Sequence, residues 1–278
     1  MRVKVAACQV PAQVGTADPA PVERAIRAAA AEGAALIVVP ELAVSGYCFR
    51  SAAEARAAAE SPDGPTVRLI RSLTAELGCV VVAGYCELGA DGRVYNSAVL
   101  AEDGELRAHY RKVHLWGREP EWFAAGDAPP PVVETRAGRI AVLICYDLEM
   151  PEWTRLAALA GADIIAAPCN WPLLDRPSGE RPVEVVKAQA AAASNAVHVV
   201  VADRCGRERG VDWIGGSVVV DASGYLAADV AFDVPAAPRI VIAELDLEAS
   251  RDKSLGEHNH VLGDRRPELY GAVTVTCP

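Results

Sequence analysis

The chain has 278 residues, of which 51% are hydrophobic and only 5% aromatic, so we expect a large core of small and β-branched side chains. A net charge of −10 argues against nucleic-acid binding, which needs a basic surface. The N-terminus MRVKVAACQVP lacks the apolar region of a signal peptide, and no apolar run reaches the length of a membrane span. We therefore predict a cytoplasmic protein with neither nucleic-acid nor membrane partners.

Apolar, strand-like runs recur along the chain and alternate with Ala-rich segments of helical spacing. The strand-like runs are RVKVAACQV (2–10), ALIVVP (35–40), CVVVAGYCEL (79–88), VYNSAVLA (94–101), RIAVLIC (139–145), DIIAAPCN (163–170), HVVVADRC (198–205), GSVVVDASG (216–224) and IVIAELD (240–246). The helix-like segments are PVERAIRAAAAEGA (21–34), TVRLIRSLTAELG (66–78), PEWTRLAALAGA (151–162) and RPVEVVKAQAAAASNA (181–196). This alternation predicts an α/β protein with helix-covered sheets.

Two segments, 94–112 and 215–230, each contain two extended pieces joined by a Gly-containing turn, which favours hairpins and therefore mixed sheets. No Ser- or Gly-rich linker divides the chain, and the Pro-rich segment 126–135 is a rigid surface connection too short to separate domains. We predict a single domain over residues 1–278.

Three strand ends carry reactive side chains: Glu41 follows 35–40, Lys112 ends the 94–112 hairpin, and Cys145 ends 139–145. Such groups gather beyond the carboxyl ends of strands in open α/β sheets. A thiol is mostly protonated at neutral pH, so a nucleophilic cysteine needs a base or a cation nearby. Glu41 would accept the proton, and Lys112 would stabilise negative charge.

The backbone N–H of Tyr146 would be a second donor to the oxyanion. A helix beginning just beyond, near Pro151, would also favour a thiolate. Each residue also has an ordinary interpretation when taken singly: a turn carboxylate, a surface lysine beside Arg111, and a core cysteine. Spacing alone does not decide between these interpretations.

The eight cysteines include no C-x-x-C pair, so we interpret most of them as small buried hydrophobes. They stand at positions 8, 48, 79, 86, 145, 169, 205 and 277.

Three longer motifs resemble those of the nitrilase superfamily of carbon–nitrogen hydrolases. PELAVSGY (40–47) is similar to its glutamate motif, YRKVHLWGREPEWFAAGD (110–127) to its lysine motif, and ICYDLEMPEWTRLAALAGADIIAAPCNWP (144–172) to its cysteine motif. KVAACQVP, QAAAASN and GGSVVVDASG also fit, so the resemblance spans nearly the whole chain in the right order.

The resemblance implies a four-layer α-β-β-α sandwich that forms a homodimer or a higher homo-oligomer, with no metal or cofactor. It makes Glu41 the general base, Lys112 the electrostatic stabiliser and Cys145 the nucleophile. It also implies a set of residues at the substrate, namely Glu119, Tyr146, Asn170 and Trp171.

CYDLEMPE is most similar to the amidase-like branch, since nitrilases tend to have Trp-Glu after the cysteine. Glu149 replaces an arginine found in many such amidases, which argues against a dicarboxylate-monoamide substrate because the acid would repel a carboxylate. We therefore expect a thiol amidohydrolase that cleaves a small linear amide to carboxylate and ammonia. An N-carbamoyl amine or amino-acid hydrolase and a nitrilase are the alternatives, and a catalytically silent scaffold is the alternative of another class.

No serine-elbow, zinc-protease, P-loop or dinucleotide motif occurs. We interpret His114 as a structural support behind Lys112, and EHNH (257–260) as a polar loop. The segment DRCGRERGVDWIGG (203–216) is either a connector or a cover over a pocket or partner. The C-terminal tail, from about residue 250, is expected to contact a partner subunit.

Overall fold

The computed structural model describes residues 1–232 and 236–275. The strands are β1 (Arg2–Gln9), β2 (Leu36–Val38), β3 (Val80–Leu88), β4 (Val94–Glu102), β5 (Glu105–Arg111), β6 (Val132–Thr135), β7 (Gly138–Val142), β8 (Ile164–Pro168), β9 (His198–Ala202), β10 (Arg207–Glu208), β11 (Val211–Asp212), β12 (Val218–Val220), β13 (Arg239–Asp246), β14 (Ser254–Leu255) and β15 (Asn259–His260). The α-helices are α1 (Ala20–Ala31), α2 (Ala52–Ala58), α3 (Pro65–Leu77), α4 (Pro151–Leu159), α5 (Val183–Asn195) and α6 (Leu247–Arg251). Short 3₁₀ helices cover Glu119–Glu121, Cys145–Glu149, Pro267–Leu269 and Gly271–Thr274.

Two large sheets form the centre of the molecule, in the orders β13-β1-β2-β3-β4-β5 and β12-β9-β8-β7-β6. Both are mixed, as predicted: β1, β2 and β3 are parallel, β7, β8 and β9 are parallel, and the remaining pairs are antiparallel. The predicted hairpin at 94–112 is confirmed as β4 and β5. Each predicted strand run and helical segment contains an element of the predicted type.

The predicted hairpin at 215–230 forms only in part. Its turn closes where the Asp221 N–H bonds the Tyr225 carbonyl at 2.8 Å, but the second arm makes a single bridge, between Val220 and Leu226. Leu226 packs against the main core instead, and that packing replaces an extended ladder.

The two sheets pack face to face, with α1 and α3 on one outer surface and α4 and α5 on the other. Alternation along β1 shows the reason: Val3 and Val5 face the second sheet, while Ala6 and Cys8 face α1 and α3. The result is the predicted four-layer α-β-β-α sandwich. Within residues 1–232 and 236–275, no helix combines the length and apolarity needed to cross a bilayer.

Two sequence predictions need adjustment, and the third, for the cysteines, is confirmed. Strand β7 ends at Val142, before Cys145, because the chain turns there into the 3₁₀ helix Cys145–Glu149. The segment 126–135 is not wholly a loop, since its last four residues form β6, which pairs antiparallel with β7. The cysteines of the described part are free and all but Cys48 are buried, whereas Cys277 lies outside it.

Candidate active site

Glu41, Lys112 and Glu119 form a buried ion cluster beyond the ends of β2 and β5. Lys112 Nζ donates to Glu41 Oε1 at 2.7 Å and to Glu119 Oε1 at 2.8 Å, and each side chain is at most 1% exposed. Glu41 and Lys112 are distant in the chain, but they meet because β2 and β5 end at the same edge of the first sheet. Two carboxylates thus share one ammonium, which favours a proton on one of the acids.

The pKa values of Lys112 and Glu41 are shifted for different reasons. Burial raises the pKa of Glu41, and the attraction of Lys112 offsets only part of this effect. Burial alone would lower the pKa of Lys112, but the charges of Glu119 and Glu41 raise it well above its usual value. Lys112 therefore stays an ammonium, while Glu41 is prepared to accept a proton.

The two carboxylate oxygens of Glu41 differ in their hydrogen bonds. Asn96 Nδ2 donates to Oε1 at 2.6 Å, the atom that also binds Lys112. The other oxygen, Oε2, is buried and has no hydrogen-bond partner in the described part of the chain. Glu41 consequently presents one free acceptor to the interior of the site.

Cys145 is the first residue of the 3₁₀ helix that follows β7, and it has a left-handed φ of 48°. A non-glycine residue adopts this conformation at a cost, which is common at functional sites. The sharp turn takes the side chain out of the sheet, and Sγ lies 4.0 Å from the Asn170 carbonyl oxygen.

Asn170 links the Cys145 thiol to the ion cluster, because its carbonyl oxygen lies 4.0 Å from Sγ while its Nδ2 bonds the Glu41 carbonyl. Burial raises the pKa of the Cys145 thiol, a hydrogen bond with the Cys169 thiol lowers it, Glu41 raises it and Lys112 lowers it. The structure thus brings together the carboxylate, the ammonium and the thiol that the sequence analysis selected.

The backbone of Glu41 is held from two sides. Asn170 Nδ2 donates to the Glu41 carbonyl at 2.9 Å. On β3, a Cβ at Gly84 would lie 2.5 Å from Glu41 Cα, so only glycine allows this close approach. The side chain of Asn170, expected at the substrate, therefore also supports Glu41, and its Oδ1 is buried without a hydrogen-bond partner in the described part.

Tyr146 and Trp171, the other residues expected at the substrate, directly follow Cys145 and Asn170 in the chain. Tyr146 is the second residue of the 3₁₀ helix, where a backbone N–H has no acceptor within the helix. Trp171 is 2% exposed, and its backbone N–H donates to Asp203 Oδ1 at 2.8 Å.

Several contributing residues were missed from the sequence. Tyr47 donates its hydroxyl to Glu119 Oε1 at 2.7 Å, and Asn96 and Cys169 contact Glu41 and Cys145 as described above. Asp203 accepts N–H bonds from Trp171 and from Gly216, at 2.8 and 2.7 Å, and burial raises its pKa to about 7. A polar residue within a strand-like apolar run, such as Asn96 in 94–101, is the signal that could have identified a buried hydrogen-bonding side chain.

His114 supports the lysine segment, as predicted. Its Nδ1 and backbone N–H bond Asp147 Oδ1 at 2.7 and 2.9 Å, and the carboxylate also accepts from the Tyr110 hydroxyl at 2.8 Å. Asp147 thus ties the helix that carries Cys145 to the segment that follows Lys112.

The segment 203–216 is not a solvated connector. Arg204 and Glu208 are fully buried, and Trp213 packs edge-on against Tyr47 with ring centroids 5.5 Å apart. The segment packs against the loop that follows Glu41, through Trp213 on Tyr47 and through Arg204 on the Leu42 carbonyl. EHNH (257–260) lies at the exposed β14–β15 turn.

Comparisons with known proteins agree with this geometry. The family model described as carbon-nitrogen hydrolase matches residues 4–253. A nitrilase from Pyrococcus abyssi is 34% identical over 96% of this chain and 99% of that protein. An (R)-stereoselective amidase from a Pseudomonas species is 34% identical over 86% of this chain and 82% of its own length.

A solved structure extends the likeness to the active-site chemistry of a relative. A mutant of the amidase from Nesterenkonia sp. AN1 superposes with a TM-score of 0.76 at 26% identity, covering 96% of this chain and 95% of that chain. In that structure the acetamide moiety of fluoroacetamide is covalently attached to the active-site cysteine.

Proposed function

This chain belongs to the carbon-nitrogen hydrolase family, and we propose that it is a thiol amidohydrolase that cleaves a small linear amide to carboxylate and ammonia. One observation carries the proposal: Lys112 Nζ lies 2.7 Å from Glu41 Oε1, and Asn170 links this ion pair to Cys145, since its Nδ2 bonds the Glu41 carbonyl at 2.9 Å and its carbonyl oxygen lies 4.0 Å from Sγ. The site thereby contains a base, a cation and a nucleophile. The covalent adduct on the active-site cysteine of the Nesterenkonia amidase supports a nucleophilic role for the cysteine.

In the first half-reaction, Glu41 takes the Sγ proton while Cys145 attacks the amide carbon. Lys112 and the Tyr146 N–H stabilise the resulting oxyanion. Collapse of the tetrahedral intermediate breaks the C–N bond, Glu41 returns the proton to the leaving nitrogen, and ammonia departs. An acyl thioester remains on Cys145.

In the second half-reaction, Glu41 takes a proton from water, and the hydroxide so formed attacks the thioester carbon. The C–S bond breaks, Glu41 returns its proton to the sulfur and so restores the thiol, and the carboxylic acid is released and loses its proton to water. Glu119 bonds Lys112 throughout, at 2.8 Å, and so orients the ammonium that faces the oxyanion.

The substrate is proposed to be an amide without a second carboxylate. Glu149 forms an ion pair with Lys187 on α5, so this position offers no free cation to hold a distal acid group. The Tyr146-Asp147 pair after Cys145 supports an amide over a nitrile. N-carbamoyl amines and amino acids are the second candidates, because they present the same carbonyl carbon bonded to nitrogen.

The test compares wild type with Cys145→Ala and Cys145→Ser. Ammonia release is measured from aliphatic amides, ω-amides, N-carbamoyl compounds and nitriles, and fluoroacetamide adducts are located by mass spectrometry. We expect release and one adduct for wild type and for the control Cys8→Ala, whose thiol is buried against α1. Full release by Cys145→Ala would overturn the assignment.

We further propose one domain over residues 1–278, a homodimer, and a cytoplasmic location. The exposed outer face of α4 and α5 supports the dimer, because it carries the apolar side chains of Leu156, Leu159, Val183 and Val186. Tyr270 and Val273 of the C-terminal tail are exposed as well. Light scattering of wild type and of Leu159→Glu tests this proposal. A monomeric wild type would contradict it.

A further inference from the structure

Arg204 and Glu208 form an ion pair that the chemistry above does not use. Both side chains are fully buried, and Arg204 Nη1 donates to Glu208 Oε2 at 2.7 Å. Buried ion pairs are costly to desolvate, and apolar replacements are often equally stable. Stability alone is therefore a weak reason for this pair, and its other contacts are informative.

The arginine holds the residue that follows Glu41. Arg204 Nη2 donates to the Leu42 carbonyl at 3.0 Å. Leu42 has a φ of 48°, a strained conformation for a branched side chain. Such a conformation persists only where the surroundings hold it. Arg204 is thus one of the groups that fix the direction in which the chain leaves Glu41.

The glutamate holds the other end of the same loop. Glu208 Oε2 accepts from the N–H groups of Tyr47 and Cys48 at 3.0 and 3.1 Å, and Oε1 accepts from that of Val14 at 2.7 Å. The Tyr47 hydroxyl in turn bonds Glu119 Oε1, the atom that binds Lys112.

We propose that the Arg204–Glu208 pair positions both carboxylates of the active site, Glu41 through Leu42 and Glu119 through Tyr47. These are positioning residues, since neither touches the reacting atoms. The proposal rests on the amidohydrolase function above. It predicts that disturbing the pair changes the chemical step more than substrate binding.

The experiment uses Arg204→Lys and Glu208→Gln in the full-length protein. Lysine keeps the charge opposite Glu208, but its single ammonium cannot reproduce the planar fork that bonds Glu208 and Leu42 together. We expect kcat to fall by about 10- to 100-fold, as small displacements of catalytic groups do, with KM changed by less than about threefold. The pH profile of Cys145 alkylation by fluoroacetamide should also shift, because Glu41 accepts the thiol proton.

The matched control is Asp163→Asn. Asp163 is also a fully buried carboxylate, and it bonds Arg139 and Arg251 at 3.0 Å each, but it lies before β8, at the opposite end of that strand from Cys169. We expect a lower melting temperature with unchanged kcat and unchanged alkylation profile. If the ion-pair variants lost only melting temperature, as this control does, the proposal would be overturned.

A further variant, Tyr47→Phe, keeps the proposal testable if neither ion-pair variant folds. It removes only the hydroxyl link to Glu119, so a fall in kcat with unchanged KM supports the positioning of Glu119 through Tyr47, and an unchanged kcat overturns that part of the proposal. The proposed function is tested separately, because a wild-type protein that neither released ammonia nor formed the Cys145 adduct would refute that function first.

Discussion

Arg111 and Lys112 are neighbours at the end of β5, yet they bond to two buried carboxylates whose pKa values are shifted in opposite directions, down for Glu87 and up for Glu41. Side chains alternate along a strand, so Arg111 meets Glu87 on one face while Lys112 meets Glu41 on the other. Both acids are fully buried. The presence of a cation is therefore not what distinguishes them.

The number of hydrogen-bond donors distinguishes them. Glu87 accepts from Arg111, from His109 Nε2 at 2.8 Å and from the Ser97 hydroxyl; burial raises its pKa, but these bonds lower it to about 2. Burial raises the pKa of Glu41, and its bonds offset this only in part, because it shares Lys112 with a second acid and one of its oxygens has no partner in the described part. A fully satisfied carboxylate stabilises the fold, whereas an undersatisfied one is able to move a proton.

The largest expected effect is that of Glu41→Gln on catalysis. Without a proton acceptor, kcat should fall by about 10²- to 10⁴-fold, the usual contribution of general base catalysis. The free energy of unfolding should not decrease at neutral pH, because Lys112 would then balance Glu119 alone. Ammonia release and urea unfolding measure the two quantities. Activity within twofold of wild type would contradict the role of Glu41.

Glu87→Gln should have the converse effect. The shift from 4.5 to about 2 corresponds to about 3 kcal/mol of unfolding free energy, at about 1.4 kcal/mol per pKa unit. Activity should stay within about twofold. Urea unfolding measures the loss, with the exposed Glu105→Gln as control. A loss below about 1 kcal/mol would show that the Glu87 bonds contribute little.

The pH dependence sharpens the contrast, because the two shifts have opposite signs. The folded pKa of Glu87 is lowered, so its stabilisation is complete above pH 4.5 and is lost as pH falls towards 2. The folded pKa of Glu41 is raised, so ionisation of Glu41 destabilises the fold. As pH falls, the free energy of unfolding of wild type should therefore increase relative to that of Glu41→Gln. Urea unfolding at several pH values should show both trends. Parallel trends for the two variants would contradict the comparison.

The smallest expected effect concerns Cys169. Its hydrogen bond lowers the pKa of Cys145, so Cys169→Ala should move the fluoroacetamide alkylation profile to higher pH. The rate at neutral pH should fall by less than about tenfold, since less thiolate is present. Cys169→Ser retains a donor and should behave like wild type. Identical profiles for the Ala and Ser variants would show that the bond is unimportant.

Sequence patterns predicted the elements better than the supports of the site. Apolar runs identified the strands, because burial on both faces leaves a local signature. Arg204 and Glu208 lie in a segment rich in charge, which looks exposed when read alone. Nothing local marks them as buried, since their partners, Leu42 and Tyr47, are more than 150 positions away.

Periodicity, a local property of the chain, was enough to predict the α/β architecture, and strand ends together with the family-like motifs selected Glu41, Lys112 and Cys145 as candidate catalytic residues. The sequence did not reveal that both carboxylate oxygens of Glu87 accept hydrogen bonds while Glu41 Oε2 has no partner in the described part of the chain. Their donors come from separate strands and loops, and the pKa of a buried acid depends on how many of those donors reach it.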